Sequence, residues 1–486
     1  MKRILLFTVL IIIICIQQSG GQNRKYSAET EKRIEQVENN LAGWVLTGYD
    51  DRWTLEERMK KYNINGLSIA VVNNHQIEWA RGYGFAGEKG RQRVTEKTLF
   101  QAASISKSLN SLGVLLLAQE DKLSLNQDIN NYLSAWKFPY DSVSPGKVIT
   151  LMQLLSHTAG LTVSGFPGYK NSDTLPSLVQ ILDGLPPANT GPVRSGFALG
   201  ERFSYSGGGT TISQLIVTEV SGMAYDAFMQ ERVLNQLGMK ESFFTQPPPE
   251  SKKSLLATGY LPDGTEVEGK YHIYPEQAAA GLWTTPTDLC RYIIETQLSC
   301  NGKSSLVLSP EMTRLRLTPV KDDAGLGVFV NSRVTGSYKY FNHNGGNEGF
   351  CCTAIGCMNE GKGVVIMTNT HYSNTAILEE IANSVATVYG WNDYYLPESK
   401  KVIETERSVL EKYAGRYDAG GRMVNFILAD SGLQVSLADG PFLPVYFTAA
   451  DEFFIREWKG TLKFLSDENQ HVTGFSGKNI KATRVK

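Results

Sequence analysis

The sequence lacks an excess of charge of either sign. Its 48 Lys and Arg residues stand against 49 Asp and Glu residues, a net charge of −1. That balance offers no electrostatic footprint for nucleic acid and no basic surface for anionic lipid. Histidine and cysteine are both scarce, at six each. No HExxH occurs, and the spacing of Cys351, Cys352 and Cys357 matches no zinc pattern, so no catalytic metal is expected. No GxSxG is present, which disfavours the strand–turn–helix nucleophile elbow of an α/β-hydrolase. There is no internal repeat. With 42% hydrophobic and 10% aromatic residues the chain is compositionally globular, and disorder throughout is excluded.

The apolar run Ile4–Ile16 has 13 residues, fewer than the roughly 20 that span a bilayer. It follows Lys2 and Arg3 and precedes Ser19, Gly20 and Gly21. A basic start, a short apolar stretch and a small-residue exit describe a signal peptide over residues 1–21, cut near Gly21–Gln22. The expectation is a periplasmic or secreted protein with no stable transmembrane anchor. Ile14 precedes Cys15 where lipid attachment would require a small residue. Removing Lys2 and Arg3 leaves 46 basic against 49 acidic residues, a net charge of −3. Five cysteines remain, so at least one thiol has no partner within the chain. Cys351 and Cys352 are neighbours in an expected strand, where at most one should face the core.

Residues 28 to about 62 read as helical, charged with apolar residues at helical spacing. Leu67–Val72 and Gln76–Ala80 flank Asn73-Asn74 as a hairpin. An apolar helix is expected over 105–118, and another at Thr150–Leu155. Residues 162–200 are rich in Gly, Pro, Ser and Asn, and a loop that long in a compact enzyme is usually functional. Three short strands follow around Tyr338, Cys351 and Val364, and a helix ends near Tyr389. The fold class expected for residues 22–397 is therefore α+β, an antiparallel sheet flanked by helices. A polar linker is expected over 398–409. Short alternating strands divided by Gly and Asp turns make 410–486 a small all-β domain.

Ser104-Ile-Ser-Lys107 opens the apolar helix. Helical spacing puts residues i and i+3 on one face, so the lysine amine meets the serine hydroxyl. A buried lysine is a usable base, and the helix start offers free N–H groups where an oxyanion would form. Ser-x-x-Lys is weak evidence alone, because Ser134-Ala-Trp-Lys137 and Ser144-Pro-Gly-Lys147 share it. The latter holds Pro and Gly in a loop, and the former lies outside any apolar helix. Gly82-Tyr-Gly-Phe-Ala-Gly87 matches GxGxxG, but a polar turn follows it and not a helix, so a dinucleotide site fails.

Further motifs appear in a fixed order: Gly66-Leu-Ser-Ile-Ala-Val-Val, Phe100-Gln-Ala-Ala-Ser-Ile-Ser-Lys, Leu154-Leu-Ser-His-Thr-Ala-Gly-Leu, Phe203-Ser-Tyr-Ser-Gly, Ala279-Ala-Gly-Leu-Trp and His343-Asn-Gly-Gly. From about Ile64 to Gly390 the chain resembles the serine β-lactamase and penicillin-binding-protein superfamily, in particular the class C β-lactamase-like hydrolases, esterases and DD-peptidases. The resemblance implies an all-helical half beside the sheet, with the active site between them. It implies Ser104 as nucleophile and Lys107 with Tyr205 as its base system. His343 would donate to the substrate or to the tyrosine oxygen. The N–H groups of Ser104 and Gly346 would form the oxyanion hole, with Asn344 and Gly345 lining the substrate strand. His157 would be scaffold. Gly207 departs from the pattern, standing where the family's Tyr-x-Asn motif carries asparagine, and this leans the reading toward ester or small-amide substrates. A β-lactamase or D-amino-acid peptidase is the alternative, and an inactive cell-wall-binding relative a second. No cofactor is implied, and the partner is a small-molecule ester, amide or peptide. The region from Tyr413-Ala-Gly-Arg-Tyr417 onward resembles small β-barrel-like modules appended to such hydrolases, with no catalytic set of its own.

Overall fold

The computed structural model describes residues 25–48, 51–88, 90–331, 339–371, 375–391, 393–437, 440–478 and 480–485. The expected signal peptide lies outside the described residues, as does Tyr338.

The N-terminal stretch is two helices and not one. Helix α1 (Ala28–Glu38) starts at Ser27, whose side chain accepts from the Thr30 N–H, with Glu29 and Glu31 in the favourable first turn. Helix α2 (Leu55–Lys61) begins afresh at a Thr54/Glu57 capping box. Between them the chain is held extended against the C-terminal domain: a Cβ on Gly43 would lie 2.1 Å from the Arg456 carbonyl. Helical spacing alone does not register such a contact.

The sheet comprises β1 (Gly66–Asn73), β2 (Gln76–Gly84), β3 (Phe329–Asn331), β4 (Tyr340–Asn347), β5 (Phe350–Cys357) and β6 (Gly363–Thr368), in the order β2-β1-β6-β5-β4-β3. Every neighbouring pair is antiparallel. The β1–β2 hairpin turns through Asn74 and His75, both at positive φ, as a two-residue turn matched to strand twist requires. Both faces of the sheet are covered. Leu67, Ile69, Val71 and Cys351 pack with α1 and with α8 (Ala376–Val388). The alternate residues Ala70, Val72, Cys352 and Val365 pack with the helical half. Cys351 and Cys352 are therefore both fully buried, contrary to expectation, because β5 is central and has no solvent face. All five described cysteines are free thiols.

The helical half is built around α3 (Ser106–Gln119), whose residues from Ser106 to Leu117 are all buried. Its second half, Leu112–Leu117, is apolar on every side, as a core helix is, while Ser106, Lys107, Ser108, Asn110 and Ser111 are buried polar residues of its first half. Against α3 pack α5 (Gly207–Ser221) and the short α6 (Gln277–Ala280), with α4 (Leu151–Leu155) on α5, while α7 (Pro286–Cys300) lies across the sheet.

The stretch expected as a linker is ordered by pairing. Glu398–Ser399 runs parallel to Val45–Leu46, and the Ile403 N–H donates to the Phe447 carbonyl. Nine antiparallel strands between Gly415 and Arg484 then form one sheet curled into a near-barrel. Its two end strands, Leu443–Pro444 and Tyr446–Phe447, are separated only by Val445. This domain is fastened to the body by buried Arg58, whose guanidinium lies 2.5 Å from Glu380 and 2.8 Å from Glu457. Arg456 adds a contact of 3.1 Å to Asp51.

Candidate active site

Phe100–Gln101 pairs with Trp283–Thr284 and delivers the chain to a tight turn, Ala103–Ile105, that leads into α3. Ala103 sits at φ 47°, a left-handed conformation that is strained for a residue with a side chain and is typical of functional turns. The turn leaves Ser104 half-buried while Ala103 and Ile105 are sealed. One helical turn on, Lys107 is only 3% exposed. Its ammonium donates to Ser104 Oγ at 3.1 Å and to the Ala279 carbonyl at 2.8 Å. The sequence motif around Ala279 was visible, but the role of its carbonyl was not, since a backbone acceptor leaves no mark in residue type.

Tyr205 reaches the site from the residue before the α5 N-cap, Ser206. The Lys107 ammonium lies 5.0 Å from its ring centroid, a distance at which a cation is attracted to the ring face. The Tyr205 hydroxyl has no hydrogen-bond partner among the described residues, so the pair meets face to ammonium. His157 fixes the tyrosine. Its ring lies 4.3 Å from that of Tyr205, its Nδ1 accepts from the Ser206 N–H at 3.2 Å, and its carbonyl accepts from the Ser204 N–H at 2.8 Å. Burial and the nearby Lys107 charge hold His157 well below the ordinary histidine range. It is a neutral positioning group.

His343 comes from β4 and is 4% exposed. Its Nδ1 lies 2.6 Å from the Asn344 carbonyl. A carbonyl only accepts, so Nδ1 carries the proton and Nε2 presents a lone pair. Nε2 is buried without a partner. Burial, reinforced by Lys107, pushes the ring down to about 3, which keeps it neutral. The expected donor role is thus corrected: the neutral ring offers an acceptor at Nε2. Phe329 packs on it with ring centroids 5.3 Å apart.

Among the described residues, β4 has no strand on its outer side past Asn342, where the pairing with β3 over Tyr340–Asn342 stops. Side chains alternate along this open edge: His343, Gly345 and Asn347 are buried, and Asn344 and Gly346 exposed. A Cβ on Gly345 would lie 2.3 Å from the Ala102 carbonyl, so only glycine lets the strand lie against the Ser104 turn. Ser104, Tyr205, His343, Asn344, Gly345 and Gly346 line one groove of about 810 Å³. Gly207 does not reach it as a lining residue. It is the buried first residue of α5, its N–H donates to the Ser164 carbonyl, and a Cβ there would meet Phe166 at 3.0 Å. Phe166 comes from the long 162–200 loop. Ser134 and Ser144, with their lysines, lie elsewhere: Lys137 donates to the Asn130 carbonyl, and Ser144 Oγ accepts from the Leu199 N–H.

Two features had no signal in the sequence. Glu276, just before α6, is fully buried with both carboxylate oxygens unpartnered, and burial pushes it up to about 8. The far wall of the groove is supplied by the C-terminal domain, through Arg422, Leu437, Leu443 and Trp458.

The family profile described as Beta-lactamase matches residues 52–386. A beta-lactamase from Pseudomonas fluorescens is 29% identical over 244 residues, covering 49% of this chain and 62% of that protein. The chain thus spans less than two thirds of that relative's length. Protein flp from Staphylococcus aureus strain MW2 is 25% identical over 374 residues, or 75% of this chain and 69% of that one. The octameric penicillin-binding protein homologue from Pyrococcus abyssi shares the fold with a TM-score of 0.58 at 20% identity, covering 88% of this chain and 98% of that chain. The penicillin binding protein from Bacillus halodurans does so at 0.54 and 21%, covering 69% and 98%. With the profile spanning well over half its length, the chain belongs to the beta-lactamase family, which shares its fold with penicillin-binding proteins and whose members are in general serine hydrolases working through an acyl-enzyme.

Proposed function

We propose that this chain hydrolyses small esters or amides in two acyl-transfer steps, with Ser104 as nucleophile. The observation that carries the reading is Lys107 Nζ, 3.1 Å from Ser104 Oγ and anchored on the Ala279 carbonyl. Lys107, acting as the free amine, takes the serine proton as Oγ attacks the substrate carbonyl, and Tyr205 relays that proton toward the leaving group. The N–H groups of Ser104 and Gly346 receive the developing oxyanion. The leaving group takes the proton back, and water, activated by the same pair, releases the acyl group. His343 Nε2 accepts from a donor on the substrate or from the Tyr205 hydroxyl.

The substrate preference rests on Gly207. Without the asparagine amide, a β-lactam or peptide loses one bond to its own amide, whereas an ester does not depend on that recognition. Purified protein should take up a fluorophosphonate label at Ser104 and turn over p-nitrophenyl butyrate faster than nitrocefin. Ser104→Ala should abolish both labelling and turnover. A variant that still labels and hydrolyses esters normally would remove Ser104 from the mechanism. A larger kcat/KM for nitrocefin than for the ester would favour the β-lactamase or D-amino-acid peptidase reading. The basic, apolar and small-residue order of residues 1–21 supports export to the periplasm or beyond. Mass spectrometry of the mature protein should then find its N-terminus near Gln22 and not at Met1.

A further inference from the structure

The near-barrel of the C-terminal domain is not filled from end to end. At one end its aromatic residues are stacked solid: Phe464 lies 4.0 Å from Tyr413 and 4.3 Å from Phe453, centroid to centroid. Toward the other end there is a cavity of about 470 Å³, within the range that holds small ligands. Phe426, Phe453 and Phe475 floor it, and Val424, Val435, Leu437, Ile480 and Trp458 are among its walls.

Val435, Leu437 and Trp458 also line the groove that holds Ser104. Along the strand Gly432–Leu437, Leu433 and Val435 are core residues of the barrel while Gln434 points away from that core. Strand alternation puts Leu437 on the same inner face. Residues that face the barrel interior reach the groove only at the barrel's mouth. Arg422, Gly440 and Pro441, from the turns at the same end, line the groove as well. The barrel's open end therefore faces the Ser104 groove.

We infer that the groove and the barrel cavity form one substrate site, in which the barrel takes a medium-length apolar acyl chain while the carbonyl lies at Ser104. This rests on the hydrolase reading above and names its substrate class. The acyl side is assigned because that group stays on Ser104 through both steps, whereas a leaving group must depart after the first. A cavity floored by three phenylalanines suits the part that stays.

Each methylene buried should raise kcat/KM about fourfold. p-Nitrophenyl octanoate should therefore exceed p-nitrophenyl acetate by at least about a hundredfold. Val424 lines the cavity and not the groove, and Val424→Phe should lower the octanoate-to-acetate ratio by on the order of tenfold. Fluorophosphonate labelling of Ser104 in that variant reports a folded site. Calorimetric titration of the Ser104→Ala protein with decanoate supplies a readout free of catalysis and of the Val424 variant's folding: saturable binding with a negative heat-capacity change is expected. Esters of both lengths hydrolysed equally, with no decanoate binding, would overturn the chain pocket and leave the hydrolase intact. Decanoate binding without turnover of any ester would sustain the pocket and remove the hydrolase.

Discussion

Restoring the family's asparagine at Gly207 tests both the substrate reading and the packing around it. A Cβ at this position lies 3.0 Å from Phe166 Cε2, 3.4 Å from Phe166 Cδ2 and 3.2 Å from the Ser164 carbonyl oxygen. The first and last are closer than side chains normally pack, so the ring has to move. Overpacking of this kind costs about 1–3 kcal/mol. Gly207→Asn alone should lower stability by about that amount in urea unfolding and gain little nitrocefin turnover, because the amide cannot settle. Adding Phe166→Ala clears the ring. The amide can then bond the substrate and Lys107, each bond worth about 0.5–1.5 kcal/mol net. Only the substrate bond separates the two substrates, so the expected gain is about 0.5–1.5 kcal/mol, or roughly a 2- to 13-fold rise in nitrocefin kcat/KM relative to p-nitrophenyl butyrate. Phe166→Ala alone closes the double-mutant cycle. A single variant as stable as wild type and already the better β-lactamase would refute the packing argument. A stable double variant with no gain would refute the role assigned to the missing amide.

Three further outcomes follow from the site. Gly345→Ala forces a methyl to within 2.3 Å of the Ala102 carbonyl, so β4 must part from the Ser104 turn; kcat/KM for any ester should drop sharply, and an unchanged rate would show that the strand has slack. Glu276 keeps its proton up to about 8 in the folded chain and loses it near 4.5 when unfolded, so it erodes stability as pH rises between these values, by about 1.4 kcal/mol per unit. Glu276→Gln should thus gain about 2.5 kcal/mol over wild type between about pH 5.5 and 7.5, whereas parallel urea midpoints would mean that the carboxyl finds a partner. His343 is held at about 3 against an ordinary 6.5, so the unfolded chain takes its proton first and stability is lost as pH falls from about 6.5 toward 3. In His343→Gln that loss should shrink by about 1.4 kcal/mol per unit, and acid sensitivity equal to wild type would show that the ring is solvated.

The parts of this molecule that were legible in sequence are those where side-chain type follows from local geometry. The β1–β2 hairpin announced itself through alternation and Asn-Asn, and α3 through an apolar run directly after Ser104. What stayed hidden depends on distant backbone. The Ala279 carbonyl that holds Lys107 is an atom every residue has. The break between α1 and α2 is imposed by contact of Gly43 with Arg456, more than 400 residues on. Both neighbouring cysteines are buried because the sheet is covered on its two faces, which strand periodicity alone cannot distinguish from one. The barrel's share of the groove was invisible for the same reason: Leu437 and Trp458 read as ordinary core residues until the domain is seen facing Ser104.

The charge pattern around Ser104 also decides between kinds of base. Two histidines lie within the site, and a serine hydrolase with a histidine base is the familiar alternative to a lysine one. Each ring has its Nδ1 committed. His157 Nδ1 accepts from the Ser206 N–H, and His343 Nδ1 donates to the Asn344 carbonyl. Neither bonds Ser104, whose hydroxyl meets Lys107. Both rings are kept neutral by burial first, reinforced by the charge Lys107 carries when protonated, so charging either would place a cation in a poorly solvated site. A general base must accept a proton and hold it through the tetrahedral intermediate. The histidines fail the second requirement here, so the proposed mechanism rests on Lys107 as the free amine, with Tyr205 beside it. The histidines still matter, because His157 fixes the position of Tyr205 and His343 packs from the strand side. Their substitution should therefore disturb the geometry of proton transfer without removing the group that performs it.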